Sequence, residues 1–264
     1  MNQKIHATVA VLTHNSAATL ARALESVNDF SEIIVCDGGS SDETLKIAAA
    51  FNARVIQQDT QFLAEDGRIR NFSGVRNQTL AVASNEWFFF LDSDEYIGPE
   101  LAEEILEKTA GEPTAYWVSR KYVYHGEKID CSVAYPSQQM RFFHIAVAQN
   151  FIKEVHEKIA LRSGIIPKWL TQPMFVPVPD TAGEWIAKWK GYLAIENTQR
   201  VPLPVLRGML AMLKDVGIAV LYLTRLLRIM LFCRGMRLPI SYELARVWYQ
   251  WALIKASLRM IKKS

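Results

Sequence analysis

The chain has 264 residues, 50% of them hydrophobic, and a formal net charge of +3. That is enough apolar chain to bury a full core, which excludes a disordered polypeptide and suits one α/β domain with an appendage. The small net charge hides an asymmetry, because residues 1–180 carry a net of −7 and residues 181–264 a net of +10, so the two parts face different surroundings.

Ala7 to Leu12 reads as a strand and Ala17 to Val27 as a helix with Leu20, Leu24 and Val27 on one face. No cleavable signal peptide is legible before them, since the apolar stretch from Ile5 to Leu12 is short and runs into Thr13-His14-Asn15. Ile33 to Cys36 is a second strand, followed by Gly38-Gly39-Ser40-Ser41 and a helix from Asp42 to Ala50. Arg54 to Gln57 is a short third strand, Ser73 to Ala83 a helix, and Glu86 to Leu91 a strand. The run Phe88 to Leu91 is continuous instead of alternating, which is the pattern of a strand covered on both faces. Pro99 then opens a helix with Leu101, Ile105 and Leu106 inward. Strand and helix in regular exchange predict an α/β fold with a mostly parallel twisted sheet flanked by helices.

Beyond Gly111, Ala115 to Tyr124 and Gln139 to His144 read as strands without a helical crossover, placed to extend or edge the sheet. Pro167, Pro173, Pro177 and Pro179 mark a loop-rich boundary, which predicts a catalytic domain over residues 1–180 and a helical region over 181–264. Cys36, Cys131 and Cys233 are scattered and predict neither a disulfide framework nor a thiolate cluster, which fits a reducing compartment.

Ligands of open α/β sheets sit outside the carboxyl ends of the strands. Three polar groups fall there: Thr13-His14-Asn15, Asp37 with its glycines, and Asp92-Ser93-Asp94-Glu95. The pair Asp92 and Asp94 leaves the core on a tight turn, where a hard cation such as Mg²⁺ or Mn²⁺ is accepted by carboxylate oxygens; a solvated turn is the plainer reading. Asp37 is placed to accept a proton from a base or ribose, or to organise an Asp-Gly turn. The segment around it lacks Gly-x-Gly-x-x-Gly and is not a Walker loop. Arg76-Asn77 could reach a diphosphate, since Arg offers a planar fork of donors, or Arg68, Arg70 and Arg76 could balance Glu65 and Asp66 in solvent. His156-Glu157 follows Phe151, Ile152 and Val155, so Glu157 could take a proton from an attacking hydroxyl with His156 orienting it or binding a substrate oxygen. A surface ion pair of Glu157 with Lys153 or Lys158 is the alternative, and the segment is not the zinc motif His-Glu-x-x-His because position 160 is Ala160.

The ordered series Val11-Leu-Thr-His-Asn15, Ile34 to Thr44 with Asp37-Gly-Gly-Ser-Ser-Asp42, Gly74-Val-Arg-Asn77, Leu91-Asp-Ser-Asp-Glu95 and Val155-His-Glu157 resembles the family 2 glycosyltransferases of GT-A fold. It looks closest to the bacterial branch that adds glucose or a related sugar to the lipopolysaccharide inner core. The resemblance implies an inverting transferase that uses a UDP-sugar. Thr13 and His14 would frame the uracil, with Asn15 beside them, Asp37 would hydrogen-bond the ring, and Arg76 with Asn77 would contact the diphosphate. Asp92 would lie near ribose and metal, and Asp94 would coordinate the Mg²⁺ or Mn²⁺. Glu157 would be the general base, with Glu154 as second candidate and His156 at its side. His14 stands where many relatives have an aromatic, and Ser16 where an acidic residue is usual. The same donor machinery also serves transferases that charge a polyprenyl phosphate, and a non-catalytic nucleotide-sugar-binding scaffold would keep the fold alone.

The basic tail sets the expected partner. Leu203 to Cys233 is dominated by Leu, Met, Val and Ile, which favours an anionic lipid surface and disfavours nucleic acid. On a helix from Leu206 to Phe232, Arg207, Lys214, Arg225 and Arg228 fall within about 60° of one another at ~100° per residue, so an in-plane helix is predicted. Only Val216 to Thr224 is uninterrupted by charge, too short to span a bilayer. Trp248, Tyr249 and Trp251 followed by Lys255, Arg259, Lys262 and Lys263 repeat the pattern of aromatic anchor and basic end. The expectation is a peripheral enzyme on the cytoplasmic face of a bacterial inner membrane, meeting a soluble UDP-sugar on one side and a lipid-linked saccharide on the other.

Overall fold

The computed structural model describes residues 4–65, 67–154, 156–199 and 205–261, with backbone only for 195–199, 205–207 and 259–261. Asp66, Val155, Leu203, Lys262, Lys263 and the side chains of Arg207 and Arg259 therefore lie outside the described residues. The chain divides into two compact units, one of residues 1–121 and 137–176, the other of residues 122–136 and 177–264.

The first unit starts with β1 (Ile5–Thr13), α1 (Ala17–Glu25), β2 (Phe30–Asp37), α2 (Thr44–Ala50) and β3 (Arg54–Gln57). It continues through α3 (Phe72–Ala81), β4 (Trp87–Asp92), β5 (Tyr96–Ile97) and α4 (Pro99–Thr109). β6 (Ala115–Tyr124) leads to β7 (Glu127–Lys128), and β8 (Gln138–His144), β9 (Ala148–Ile152), β10 (Lys158–Leu161), β11 (Lys168–Trp169) and β12 (Met174–Pro177) follow. The central sheet runs β3-β2-β1-β4-β8-β6. β3, β2, β1 and β4 are mutually parallel, and β8 enters antiparallel between β4 and β6. The two strands without a helical crossover thus widen the sheet on the β4 side.

The unbroken apolar run of β4 has the expected cause. Phe89 and Leu91 pack with Val9, Val11, Leu20 and Leu24 on one face, while Phe88 and Phe90 pack with Ala10, Phe143 and Phe151 on the other. Both faces are covered, so no position of the strand is left for a polar residue until Asp92. Parallel pairing sets Thr13 beside Asp37 and Leu12 beside Asp92, which brings the ends of β1, β2 and β4 to one edge.

The second unit is built from the β6–β8 excursion and three helices, α5 (Ala182–Gln199), α6 (Val205–Phe232) and α7 (Ile240–Ile261). Asp215, the only acidic residue of α6, accepts from Gln250 Nε2 and from Ser257 Oγ of α7, at 3.4 and 3.1 Å. Arg246 lies over the rings of Tyr122, Trp185 and Trp189, so one α7 cation gathers aromatics from β6 and α5. Cys131 and Cys233 form a disulfide with Cα atoms 6.4 Å apart. This corrects the expectation of three unpaired thiols: the partners are 102 residues apart, and only the folding of the excursion against the end of α6 brings them together. Cys36 stays free and buried, and burial pushes its thiol up to about 12. Among the described residues no helix is long and apolar enough to cross a membrane.

Candidate active site

The loops after β1 and β2 are laced to each other. Thr13 Oγ1 donates to Asp37 Oδ1 at 2.8 Å, and Asp37 also accepts from Gly39 N, Ser40 N and Ser40 Oγ at 2.6–2.9 Å. Gly39 holds φ at +82°, where a side chain would be strained, so the turn needs a glycine there. Asn15, itself at φ 49°, donates its N–H to Ser40 Oγ and accepts from Ser41 N, both at 2.8 Å. His14 stands exposed on this loop with Nδ1 3.1 Å from the Gly38 carbonyl. Beneath them Gln58 is buried and donates to the carbonyls of Thr13 and Cys36, while its Oε1 has no donor.

At the end of β4 lies a buried ionic network. Arg76 of α3 donates to the Leu91 carbonyl at 3.2 Å and to Asp92 Oδ1, and its Nε lies 3.5 Å from Glu157 Oε1. Arg141 of β8 donates to the Phe90 carbonyl and to Asp92 Oδ2, both at 3.3 Å, and reaches Glu95 at 3.0 Å. Arg120 of β6 comes to 3.4 Å from Glu95. The Arg76 and Arg141 guanidiniums lie 4.6 and 4.5 Å from the centre of the Phe90 ring, so the aromatic is clamped between two cations. Three guanidiniums thus face the three carboxylates of Asp92, Glu95 and Glu157. Burial pushes Glu95 up to about 7 against the pull of Arg141 and Arg120, with the charges of Asp92 and Asp94 adding to the push. Burial also opposes the charge of Arg141, yet Glu95, Asp92 and Glu157 hold that guanidinium above its ordinary value.

Asp94 follows on the same turn as a fourth carboxylate, half-buried at the sheet edge. The turn is joined to the first loop by Ser93 Oγ, 3.0 Å from Ser16 Oγ. Among the described residues no three His, Cys, Asp or Glu side chains are grouped to hold a metal. The donor set here fits a divalent ion that takes one carboxylate from the protein and its other ligands from phosphates and water, which is the habit of Mg²⁺.

The sequence profile of Glycosyl transferase family 2 matches residues 8–160, more than half of the chain and every residue of this edge. The chain belongs to that family. Among its curated relatives, an uncharacterized glycosyltransferase of Rickettsia felis is 33% identical over 96 residues, covering 36% of this chain and 31% of the relative. A TPR repeat-containing protein of Synechococcus elongatus is 33% identical over 121 residues, covering 45% of this chain and 28% of its own. The chain thus spans about a third of the length of these relatives. Among solved structures, glucosyl-3-phosphoglycerate synthase from Mycobacterium tuberculosis, in complex with Mn²⁺, UDP and glucosyl-3-phosphoglycerate, aligns with 46% of this chain and 44% of its own at 27% identity and a TM-score of 0.34. S. aureus TarS 1-349 in complex with UDP-GlcNAc aligns with 97% and 90% at 15% identity and a TM-score of 0.48.

Within this family 2 chain several of the expected site residues have partners inside the protein. Arg76 is buried, bonded to Leu91 and Asp92 and with Nε 3.5 Å from Glu157, so in this structure it ties the edge together. Asp37 is fully buried, and its four accepted bonds fill the capacity of a carboxylate, so it shapes the turn. Asn77 turns away, donating to the Phe151 carbonyl at 3.0 Å and accepting from Phe151 N at 2.7 Å, which ties α3 to β9. Asp92 has each oxygen held by one arginine, Arg76 on Oδ1 and Arg141 on Oδ2, and its side chain is 46% exposed next to the Asp94 turn. His14 stays exposed on its loop, and Glu157 sits at the inner wall with its side chain 18% exposed. His156 and Glu154 are exposed beside it, His156 at φ 56°. Arg141 and Gln58 were not singled out, and Glu95 was named only as the last residue of the Asp92 turn. For Arg141 a signal existed, a lone cation in the apolar run Met140 to Phe143.

Proposed function

We propose that the chain moves a sugar such as glucose from a UDP-sugar to a hydroxyl of a lipid-linked saccharide such as the lipopolysaccharide inner core, with inversion at the anomeric carbon. The observation that carries this reading is the contact of one buried guanidinium with both Asp92 and Glu157. It fixes a candidate base relative to the turn that bears Asp94, and catalysis of this kind depends on such fixed separation.

In this reading His14 lies against the uracil, and the laced loops of Asn15, Asp37 and Ser40 keep it in place. Asp94 would hold Mg²⁺ or Mn²⁺, which when bound supplies positive charge where the departing diphosphate gains negative charge. Glu157 accepts the proton of the acceptor hydroxyl as the new bond to the anomeric carbon forms and the bond to the diphosphate oxygen breaks, its electron pair staying on that oxygen. Arg76 keeps the Glu157 carboxylate oriented, so the hydroxyl arrives on the face opposite the leaving group and configuration inverts. The acceptor side is assigned to residues 181–264, whose exposed Lys214, Arg228 and Lys255 and exposed apolar row suit the anionic cytoplasmic face of an inner membrane.

A screen of nucleotide-sugars for metal-dependent protection against thermal unfolding tests the donor half. Product analysis with a lipid-linked saccharide and with a polyprenyl phosphate then tests the acceptor. Protection by no UDP-sugar, with or without Mn²⁺, removes the donor assignment; sugar appearing only on the polyprenyl phosphate replaces the acceptor.

A further inference from the structure

Between α6 and α7 lies an open groove of about 390 Å³ walled by Val216, Val220 and Leu223 on one side and Val247, Trp248 and Trp251 on the other. It falls within the range of ligand pockets, roughly 300–1,000 Å³. The bonds from Gln250 and Ser257 to Asp215 hold α6 and α7 together. The walls are unusually bare for such apolar chains: Val220 is 53% and Trp251 55% exposed. On α6 the exposure continues at alternating spacings of three and four through Leu213, Val216, Val220, Leu223, Leu227 and Met230, which is one stripe of the helix.

Lysines stand over the two tryptophans of the groove. Lys190 Nζ sits 5.9 Å from the centre of the Trp248 ring and Lys255 Nζ 5.6 Å from that of Trp251, so a cation stands over each indole. A stripe spaced in this way could also be the seam of a helical dimer, but a seam between two copies needs complementary charges on its flanks. On α6 the positions that flank the stripe, Met212, Ala219 and Leu226 on one side and Gly217, Thr224 and Leu231 on the other, carry no charge, so nothing there pairs with a second copy. An anionic lipid meets both the apolar floor and the two lysines that stand over its indoles, Lys190 and Lys255.

We propose that this groove takes one hydrocarbon chain of an anionic membrane lipid, with Lys190 and Lys255 at the headgroup and Trp248 and Trp251 at the level where chain and headgroup meet. Tryptophan suits that level because its ring is apolar and its N–H polar. The inference deepens the membrane-facing half of the proposed function and rests on it. It adds a bound chain to what would otherwise be adhesion of a charged, greasy surface.

The test uses the full chain and vesicles of neutral lipid doped with phosphatidylglycerol carrying brominated acyl chains, which quench a tryptophan only at contact. Quenching of the parent is expected, and it should be largely lost in the Trp248→Phe/Trp251→Phe double variant although that variant still sediments with the vesicles. Ala219→Leu, which fills the groove and keeps both indoles, should lower the quenching as well. Lys190→Gln and Lys255→Gln should each weaken binding to the anionic vesicles by roughly fivefold and leave neutral vesicles unchanged. Equal quenching in the parent and the double variant would overturn the groove while leaving membrane association standing. Sedimentation with no vesicle would remove the membrane reading and the groove with it, and a dimer in solution whose parent is not quenched would give the groove to a second copy.

Discussion

Arg76 Nε stands 3.5 Å from Glu157 Oε1 on a side chain only 1% exposed, while the other arm of the same guanidinium holds Asp92. One cation therefore joins a carboxylate carried between β9 and β10 to one at the end of β4. Arg76→Ala should lower stability by about 3–5 kcal/mol, the usual cost of leaving buried partners unpaired. Arg76→Lys should recover little of it, because a point charge cannot replace a fork directed at three oxygens. Urea unfolding measures this, and a lysine variant as stable as the parent would show that the fork is dispensable.

Glu157→Gln should reduce kcat by about 10²-fold or more, the range for loss of a general base, with the KM for the donor little changed. Glu154→Gln should leave kcat within about twofold, since that side chain is exposed and on the outer side of the same segment. Steady-state kinetics on both variants separate the two candidates; the reverse pattern would hand the proton transfer to Glu154.

The two aspartates of the β4 turn should behave differently. Asp94→Ala should abolish the extra thermal protection that Mn²⁺ gives to UDP and leave the melting temperature of the free protein nearly unchanged. Asp92→Asn should lower stability even without ligand, because Arg76 and Arg141 both lose a charged acceptor. Thermal unfolding of each variant, with and without UDP and Mn²⁺, reads both effects. Loss of the metal effect in Asp92→Asn at full stability would reverse the assignment.

Glu95 gives the fold a pH dependence of definite sign. Its carboxyl rises from an ordinary 4.5 to about 7 on folding, mainly through burial. Between those values the folded chain keeps a proton that the unfolded chain has released, so this group's contribution is fully present below 4.5 and is lost as pH rises toward 7. Urea midpoints at pH 5 and pH 7.5 should differ less in Glu95→Gln than in the parent. An identical difference in both proteins would mean that Glu95 folds with its proton already gone.

Asp37→Asn keeps the shape of the β2 turn but replaces an acceptor oxygen with an NH₂ group among four donors. The expected loss is about 2–3 kcal/mol, the cost of buried donors left unmatched. UDP binding should weaken with it, because Asn15 and His14 take their positions from the same turn. Calorimetric titration of UDP against a variant that binds like the parent would detach the loop from the nucleotide.

Much of the first unit was readable because its signals are local. The run Trp87 to Leu91 announces a strand covered on both faces, Gly39 marks a turn, and Pro99 opens its helix at the first turn. What escaped was set by pairing at long range. Arg141 looks like any strand cation until β8 is laid against β4, which drives it under Phe90. Arg76 and Asp37 have the residue types of ligand contacts, and nothing local tells that both are buried among partners inside the protein. The joining of Cys131 to Cys233 had no local sign at all.

That last pairing has a consequence for biosynthesis. The excursion between β6 and β8 leaves the ribosome 102 residues before the cysteine it will meet, roughly 5–20 s at ordinary rates of elongation. During that interval Tyr122 lacks Trp185 of α5, and Val133 lacks the bonds that Arg225 of α6 and Glu243 of α7 make to it. Newly made chains must therefore shelter a half-finished hairpin, and a stop codon placed anywhere before α7 would leave it permanently without cover.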